Sequence, residues 1–128
     1  MNTPTRVLVA ILGVAGVAHF VIPKGFDEIV PHALPGRPRT WTSLSGVAEL
    51  AVAATVAIPR TRRLGATLAA VLFVVVFPAN VQMAIDWADR TLLKRLVAYA
   101  RLPLQIPLIL LALRVRRRSA PITAGLAR

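Results

Sequence analysis

Apolar residues in this chain come in long runs, and prolines or basic clusters cut the runs apart. The first run is Val7 to Ile22, stopped by Pro23. As a helix it reaches about 24 Å, and Thr5 with Arg6 brings it close to the ~30 Å of a hydrocarbon core. The second, Trp41 to Ile58, ends at Pro59 and reaches about 27 Å, with Trp41 placed as an interfacial anchor. The third, Leu64 to Ile85, reaches about 33 Å. Pro78 lies inside it and should kink it, freeing a backbone carbonyl near residue 74. The fourth, Leu102 to Val115, is short and needs a turn from the segment before it. Pro103 suits the first turn of a helix, and Pro107 would bend it.

The segments between the runs are of different kinds. Residues 23–40 contain Pro23, Pro31, Pro35 and Pro38 and cannot form one continuous helix. Phe26, Ile29 and Val30 fall on one side of a helical turn there, which predicts a loop lying against the membrane surface. In residues 86–101, Leu92, Leu93, Leu96, Val97 and Ala100 share one helical face while Lys94, Arg95 and Arg101 fall elsewhere. Such a segment lies in the interface or extends the fourth span outward. The predicted architecture is all-α, an integral membrane bundle of four helices in one transmembrane domain, residues 1–118. Its spans lie near 6–22, 41–58, 64–85 and 100–115, with an extracytoplasmic loop at 23–40 and a flexible cytoplasmic tail at 119–128. A cleaved signal peptide is the rival reading of the first run, because Gly16-Val17-Ala18 supplies small residues before His19. The single basic residue Arg6 and the need for an even number of crossings favour a retained span.

Composition agrees with the pattern: 56% of the 128 residues are hydrophobic and 16% are charged, below the quarter or so of a soluble domain. The net charge of +11 would suit a nucleic-acid binder. Its placement in short clusters at the ends of apolar runs instead suits membrane flanks, and no nucleic-acid partner is expected. One face receives Arg6, Arg60, Arg62, Arg63, Arg114, Arg116, Arg117, Arg118 and Arg128, with no acidic residue. The other receives Lys24, Arg37, Arg39, Arg90, Lys94, Arg95 and Arg101 together with Asp27, Glu28, Asp86 and Asp89. The bias puts both termini in the cytoplasm.

Candidate chemistry lies in the polar residues inside the spans. His19 is in the first, Glu49 in the second, Asn80 and Gln82 in the third and Gln105 in the fourth. Counted from the span ends, His19, Glu49, Asn80 and Gln105 all fall in the outer half of the bilayer, one from each helix. An intramembrane carboxyl needs a partner, a neutral state or a wet cavity. His19 is the nearby group able to exchange a proton near neutral pH. Gly16 precedes His19 by one turn and Gly46 precedes Glu49 by one turn, so each glycine shares its helix face with the polar residue. Close helix approach and a His19–Glu49 contact are therefore expected. Three roles stay open for this layer: interhelical glue, a ligand cavity, or a proton path. His19, Glu49, Asn80 and Gln105, with Arg101, are the candidate ligand-binding residues.

Other chemistry has little support. The absence of cysteine excludes thiol catalysis, thiolate metal sites and iron–sulfur ligation by this chain. Two histidines, one of them His32 in the loop, make a poor metal site, and none is expected. No phosphate-binding loop, dinucleotide fingerprint or nucleophile elbow is present. Asp86 and Asp89 read as a solvated helix end, and Phe73, Phe77 and Met83 as lipid contacts or core. No catalytic residue is assigned.

The order Ala15-Gly16 through His19-Phe20, Phe26 with Ile29-Val30-Pro31, Leu34-Pro35, Ser45-Gly46 with Glu49, Phe77-Pro78-Ala79-Asn80 with Met83-Ala84, and Arg101-Leu102-Pro103-Leu104-Gln105 resembles the DoxX-like family of small bacterial membrane proteins. The resemblance runs from about residue 10 to residue 113. It implies a four-helix membrane bundle in the bacterial cytoplasmic membrane. That family takes its name from a small membrane subunit of a thiosulfate:quinone oxidoreductase, and relatives are linked to redox partners. The resemblance thus implies an accessory or anchoring subunit, without catalytic activity of its own, that sits near a redox protein and binds a quinone head group or lipid. Because this chain lacks cysteine, direct sulfur chemistry is not expected of it. Two alternatives stand beside that reading: a transporter for a small solute or proton acting as a homo-oligomer, and a structural or chaperone-like module without ligand.

Overall fold

The computed structural model describes residues 1–28, 30 and 33–119. The expected role of Ile29 in the loop, of His32, and of the tail beyond Ser119 lie outside the described residues. The described chain is helical throughout, with no strand.

Helix α1, Thr3–Val21, starts where the Asn2 side chain accepts the Thr5 N–H at 3.0 Å, and it ends at Ile22, the residue before Pro23. Its buried residues Thr5, Leu8, Leu12, Gly16 and His19 follow the three-and-four spacing of one helical face. Pro23 opens a short helix, α2, Pro23–Asp27, which then gives way to a bend at Leu34–Gly36, where Gly36 takes a φ of 85°. Helix α3, Pro38–Ala57, begins with proline in its first turn and stops at Ile58 before Pro59. It starts three residues earlier than the sequence pattern predicts, because Pro38 fits the N-terminal turn as well as it breaks a helix interior.

Helix α4, Arg62–Asp86, follows a single 3₁₀ turn, and it carries Pro78 in its interior as expected. Arg62 folds back on the preceding helix: its Nε donates to the Val56 carbonyl at 2.9 Å and its Nη2 to that of Ala57 at 3.0 Å. These are carbonyls that the end of α3 leaves without helical donors. The basic turn is therefore a helix cap as well as a charge signal.

Helix α5, Leu92–Arg118, takes one of the two forms expected of residues 86–101, an extension of the fourth span. The amphipathic segment and the fourth span form one helix of 27 residues, about 40 Å long, capped by the Thr91 hydroxyl. Pro103 consequently sits in the helix interior with Pro107, not in a first turn. Leu92, Leu93, Leu96 and Val97 are all exposed, whereas Ala98 on the opposite side is fully buried. The apolar stripe of that segment faces away from the protein, and small residues do the packing.

Helix α1 packs on α3, α3 on α4, α4 on α5, and α5 returns to α1. One core cluster joins all four long helices through Leu8, Leu12, Val52, Val56, Ala66, Ala69, Phe73, Ala112 and Val115. A second, formed by Met83, Ala84, Trp87 and Ala98, ties α4 to α5 only. The interior is filled at the end carrying the termini and opens toward the end carrying α2.

Helices α1, α4 and α5 are long and apolar enough to cross a membrane. Helix α3, at 20 residues, has the length but not the mean hydropathy, because Arg39, Thr40, Thr42, Ser43, Ser45 and Glu49 crowd its first half. The sequence pattern predicted a span there, Trp41 to Ile58, from its length and its Trp41 and Pro59 boundaries.

Candidate functional site

The site is built on a close approach of two helices. A Cβ placed on Gly16 would lie 2.8 Å from Leu50 Cγ and 3.2 Å from the Gly46 carbonyl oxygen. One placed on Gly46 would lie 2.9 Å from His19 Cβ. The two glycines thus face each other, as the sequence spacing predicts, and bring the next turn of each helix into contact. There His19 Nδ1 and Glu49 Oε2 are 3.2 Å apart.

The proton inventory of that contact is decided by a third atom. His19 Nδ1 is 2.6 Å from the Ala15 carbonyl, which can only accept, so Nδ1 carries hydrogen and points it along α1. The Glu49 oxygen is off that N–H axis, and it has no other hydrogen-bond partner. Glu49 is therefore held against the imidazole with one oxygen uncommitted.

Helix α2 closes the top of this arrangement. Phe26 stacks on His19 with ring centroids 3.8 Å apart and planes 17° from parallel. Asp27 fixes the stack: its Oδ1 accepts from the Thr42 hydroxyl at 2.6 Å and its Oδ2 from Arg39 Nε at 2.9 Å. The Thr42 hydroxyl, aided by Arg39, holds the Asp27 carboxyl below the usual carboxylate range. Trp41 Nε1 donates to the Pro35 carbonyl at 2.7 Å, so this ring is tied to the loop as well as being placed near a helix start.

Together these groups line a cavity of about 390 Å³, within the size range of small-molecule sites. Its polar lining is His19, Thr42, Ser45, Glu49, Asn80 and Arg101, and Phe26, Trp41, Val75, Val76 and Pro78 are among its apolar walls. Asn80 is 1% exposed, and its Oδ1 has no partner. Arg101 reaches toward Met83, with Nη1 3.7 Å from Sδ. Four of the five candidate residues thus meet at one cavity, each from a different long helix.

Gln105 does not join them. It is buried, and its Nε2 donates to the Phe73 carbonyl at 2.6 Å. That carbonyl precedes the one Pro78 deprives of a donor, so Gln105 ties α5 to the distorted stretch of α4. It acts as interhelical glue. Gln82, the other amide of the third span, donates to Asp86 Oδ1 at 2.9 Å and stays within α4.

Thr42, Ser45 and Phe26 are cavity residues beyond the candidate set. Thr42 and Ser45 stand seven and four residues before Glu49, a spacing that places them on its face. Nothing in the sequence pairs Phe26 with His19, because Pro23 breaks the helical register between them, or Asp27 with Thr42, which the proline-rich residues 31–38 separate.

A pH prediction follows from Asp27. Its folded pKa is depressed, so its attachment to α3 is complete above the ordinary carboxylate value of about 3.9 and is lost as pH falls through the lower, folded value. Hydrogen-exchange protection of the α2 amides should be flat from about pH 5 to 8 and fall in strong acid. Asp27→Ala should show the low protection at every pH.

The family described as Domain of unknown function (DUF8561) matches residues 8–116, which reaches into every helix described above. No curated protein and no solved structure matches the chain. By that match across most of its length, the chain belongs to the DUF8561 family.

Proposed function

We propose that this chain is a four-helix module of the bacterial cytoplasmic membrane, of the DoxX-like kind, that holds a small amphiphilic ligand and anchors a redox partner beside the bilayer. The observation that carries the reading is the single cavity to which α1, α3, α4 and α5 contribute His19, Glu49, Asn80 and Arg101.

A membrane crossing by α3 is supported by how its polarity is distributed. Thr42 and Gly46 are buried, whereas Leu44, Val47, Leu50 and Ile58 are exposed. Thr42 is thus turned into the protein, and Ser45 and Glu49 line the cavity. Arg39 and Thr40 are exposed in the first turn, and beyond them the outward face is apolar, as lipid requires. The orientation follows from charge: Arg6, Arg60, Arg62, Arg63 and the α5 terminus crowd one end without acidic residues. That end is the cytoplasmic one, so both termini are inside and the cavity opens in the outer half of the bilayer.

A quinone head group fits the mixed lining: Arg101 offers donors to a ring carbonyl, and the aromatic and valine walls accept the ring. Organic extraction of protein purified gently from its native membranes, with mass spectrometry, tests this. A near-equimolar quinone or lipid is expected in the wild type and should be lost in Glu49→Ala. An empty wild-type protein with a reproducible protein partner would move the assignment to a structural module.

A second reading rests on Glu49 facing a cavity beside the Pro78-kinked helix. In it a homo-oligomer carries protons or a small solute. Liposome flux that is unchanged by Glu49→Gln would dismiss that reading.

A further inference from the structure

The cavity has more committed donors than committed acceptors. The Thr42 hydroxyl donates to Asp27, and the His19 Nδ1 hydrogen goes to the Ala15 carbonyl. Among the described residues, the buried side-chain atoms without a hydrogen-bond partner are Glu49 Oε2, Asn80 Oδ1 and Arg95 Nε. Glu49 and Asn80, which line the cavity, leave acceptor oxygens there. Asn80 Oδ1 is an acceptor in any protonation state of the site, and the Glu49 carboxyl keeps at least one acceptor oxygen whether or not it holds a proton. A buried acceptor left unpaired is costly, and a ligand that supplies the missing hydrogen removes that cost.

Resting on the binding reading above, we infer that the site takes a neutral amphiphile whose head group is a hydrogen-bond donor, a hydroxyl or N–H, directed at Asn80 Oδ1 and Glu49; of a quinone couple this is the reduced, quinol form. Arg101 already sets one full positive charge in the cavity wall, so a cationic head would add a second beside it. An anionic head would meet the Glu49 carboxyl. A neutral donor satisfies both oxygens and leaves that balance intact. The apolar walls formed by Phe26, Val75, Val76 and Pro78 take the body of the molecule. Specificity of this kind is strong, because an analogue lacking the donor leaves the buried oxygens unpaired.

Two probes of nearly the same shape test the inference: para-hexylphenol, which carries the donor, and para-hexylanisole, in which a methyl group replaces the hydrogen. The full chain in lipid nanodiscs is labelled with fluorotryptophan, and the fluorine resonance of Trp41 on the cavity wall is followed, with that of Trp87, which does not line the cavity, as the reference. Concentrations are referred to the lipid phase. The phenol is expected to saturate the Trp41 shift at about tenfold lower concentration than the anisole. Asn80→Leu should weaken the phenol and leave the anisole unchanged, closing most of the gap. If Asn80→Leu does not fold, the wild-type comparison decides alone. Equal saturation of the two probes overturns the donor requirement while leaving the binding site in place. A Trp41 resonance that responds to neither overturns the binding reading and the inference with it.

Discussion

Gly46→Ala is expected to destabilise the protein by about 1–3 kcal/mol, the usual cost of overpacking a close contact. The added methyl would sit 2.7 Å from Phe20 Cε2 and 2.9 Å from His19 Cβ. The Phe20 ring tip is half exposed and can turn aside, but His19 Cβ belongs to the rigid stem of its helix. Relief therefore requires α1 and α3 to separate, which carries His19 away from Glu49. The same substitution at Gly13 provides the control, since nothing lies within 4 Å of its Cβ position. Gly13→Ala should be neutral or stabilising by about 0.5–1 kcal/mol through helix propensity. Thermal unfolding in one detergent compares the two, and equal effects would remove the close approach from the account.

Gly65→Ala should cost more, about 3 kcal/mol or beyond. Here the Cβ position lies 2.6 Å from the Val56 amide nitrogen and 2.8 Å from the Thr55 carbonyl carbon. Both are backbone atoms at the end of α3, where the Val56 carbonyl also accepts from Arg62. No rotamer change relieves the clash, so the turn between α3 and α4 must open and Arg62 must leave its carbonyls. Loss of folded protein on size-exclusion chromatography is the expected outcome for Gly65→Ala. Gly46→Ala should still elute as a folded species with a lowered melting temperature.

The helices were legible because prolines and basic clusters sit at their ends and apolar runs fill the spaces between. The polar layer was legible for a similar reason. Gly16 with His19, and Gly46 with Glu49, are spaced by one turn, and helical geometry alone puts such pairs on one face. Gln105 was grouped with the cavity residues because its depth was counted from Leu102 as the start of the span. In the continuous α5, Arg101 and Gln105 are one turn apart on one face, and only the position of the Pro78-distorted carbonyls separates a cavity residue from a tether. The span in α3 is hard to weigh by hydropathy because Thr42, Ser45 and Glu49, which lower its mean, are turned to the interior or the cavity. The lid made by Phe26 and Asp27 has no sequence signature: its ring stack crosses the Pro23 break, and its contacts join residues 7, 12 and 15 positions apart, which no local periodicity records.

The central claim is that the cavity holds one kind of molecule, chosen from the lipid around it. Photo-crosslinking in native membranes tests it most directly, with a small diazirine side chain placed at Val76 on the cavity wall or at Val71 on the exposed face of α4. Val76 is expected to give a single dominant small-molecule adduct, and Val71 the mass distribution of bulk phospholipid. The same phospholipid distribution at both positions would contradict the account.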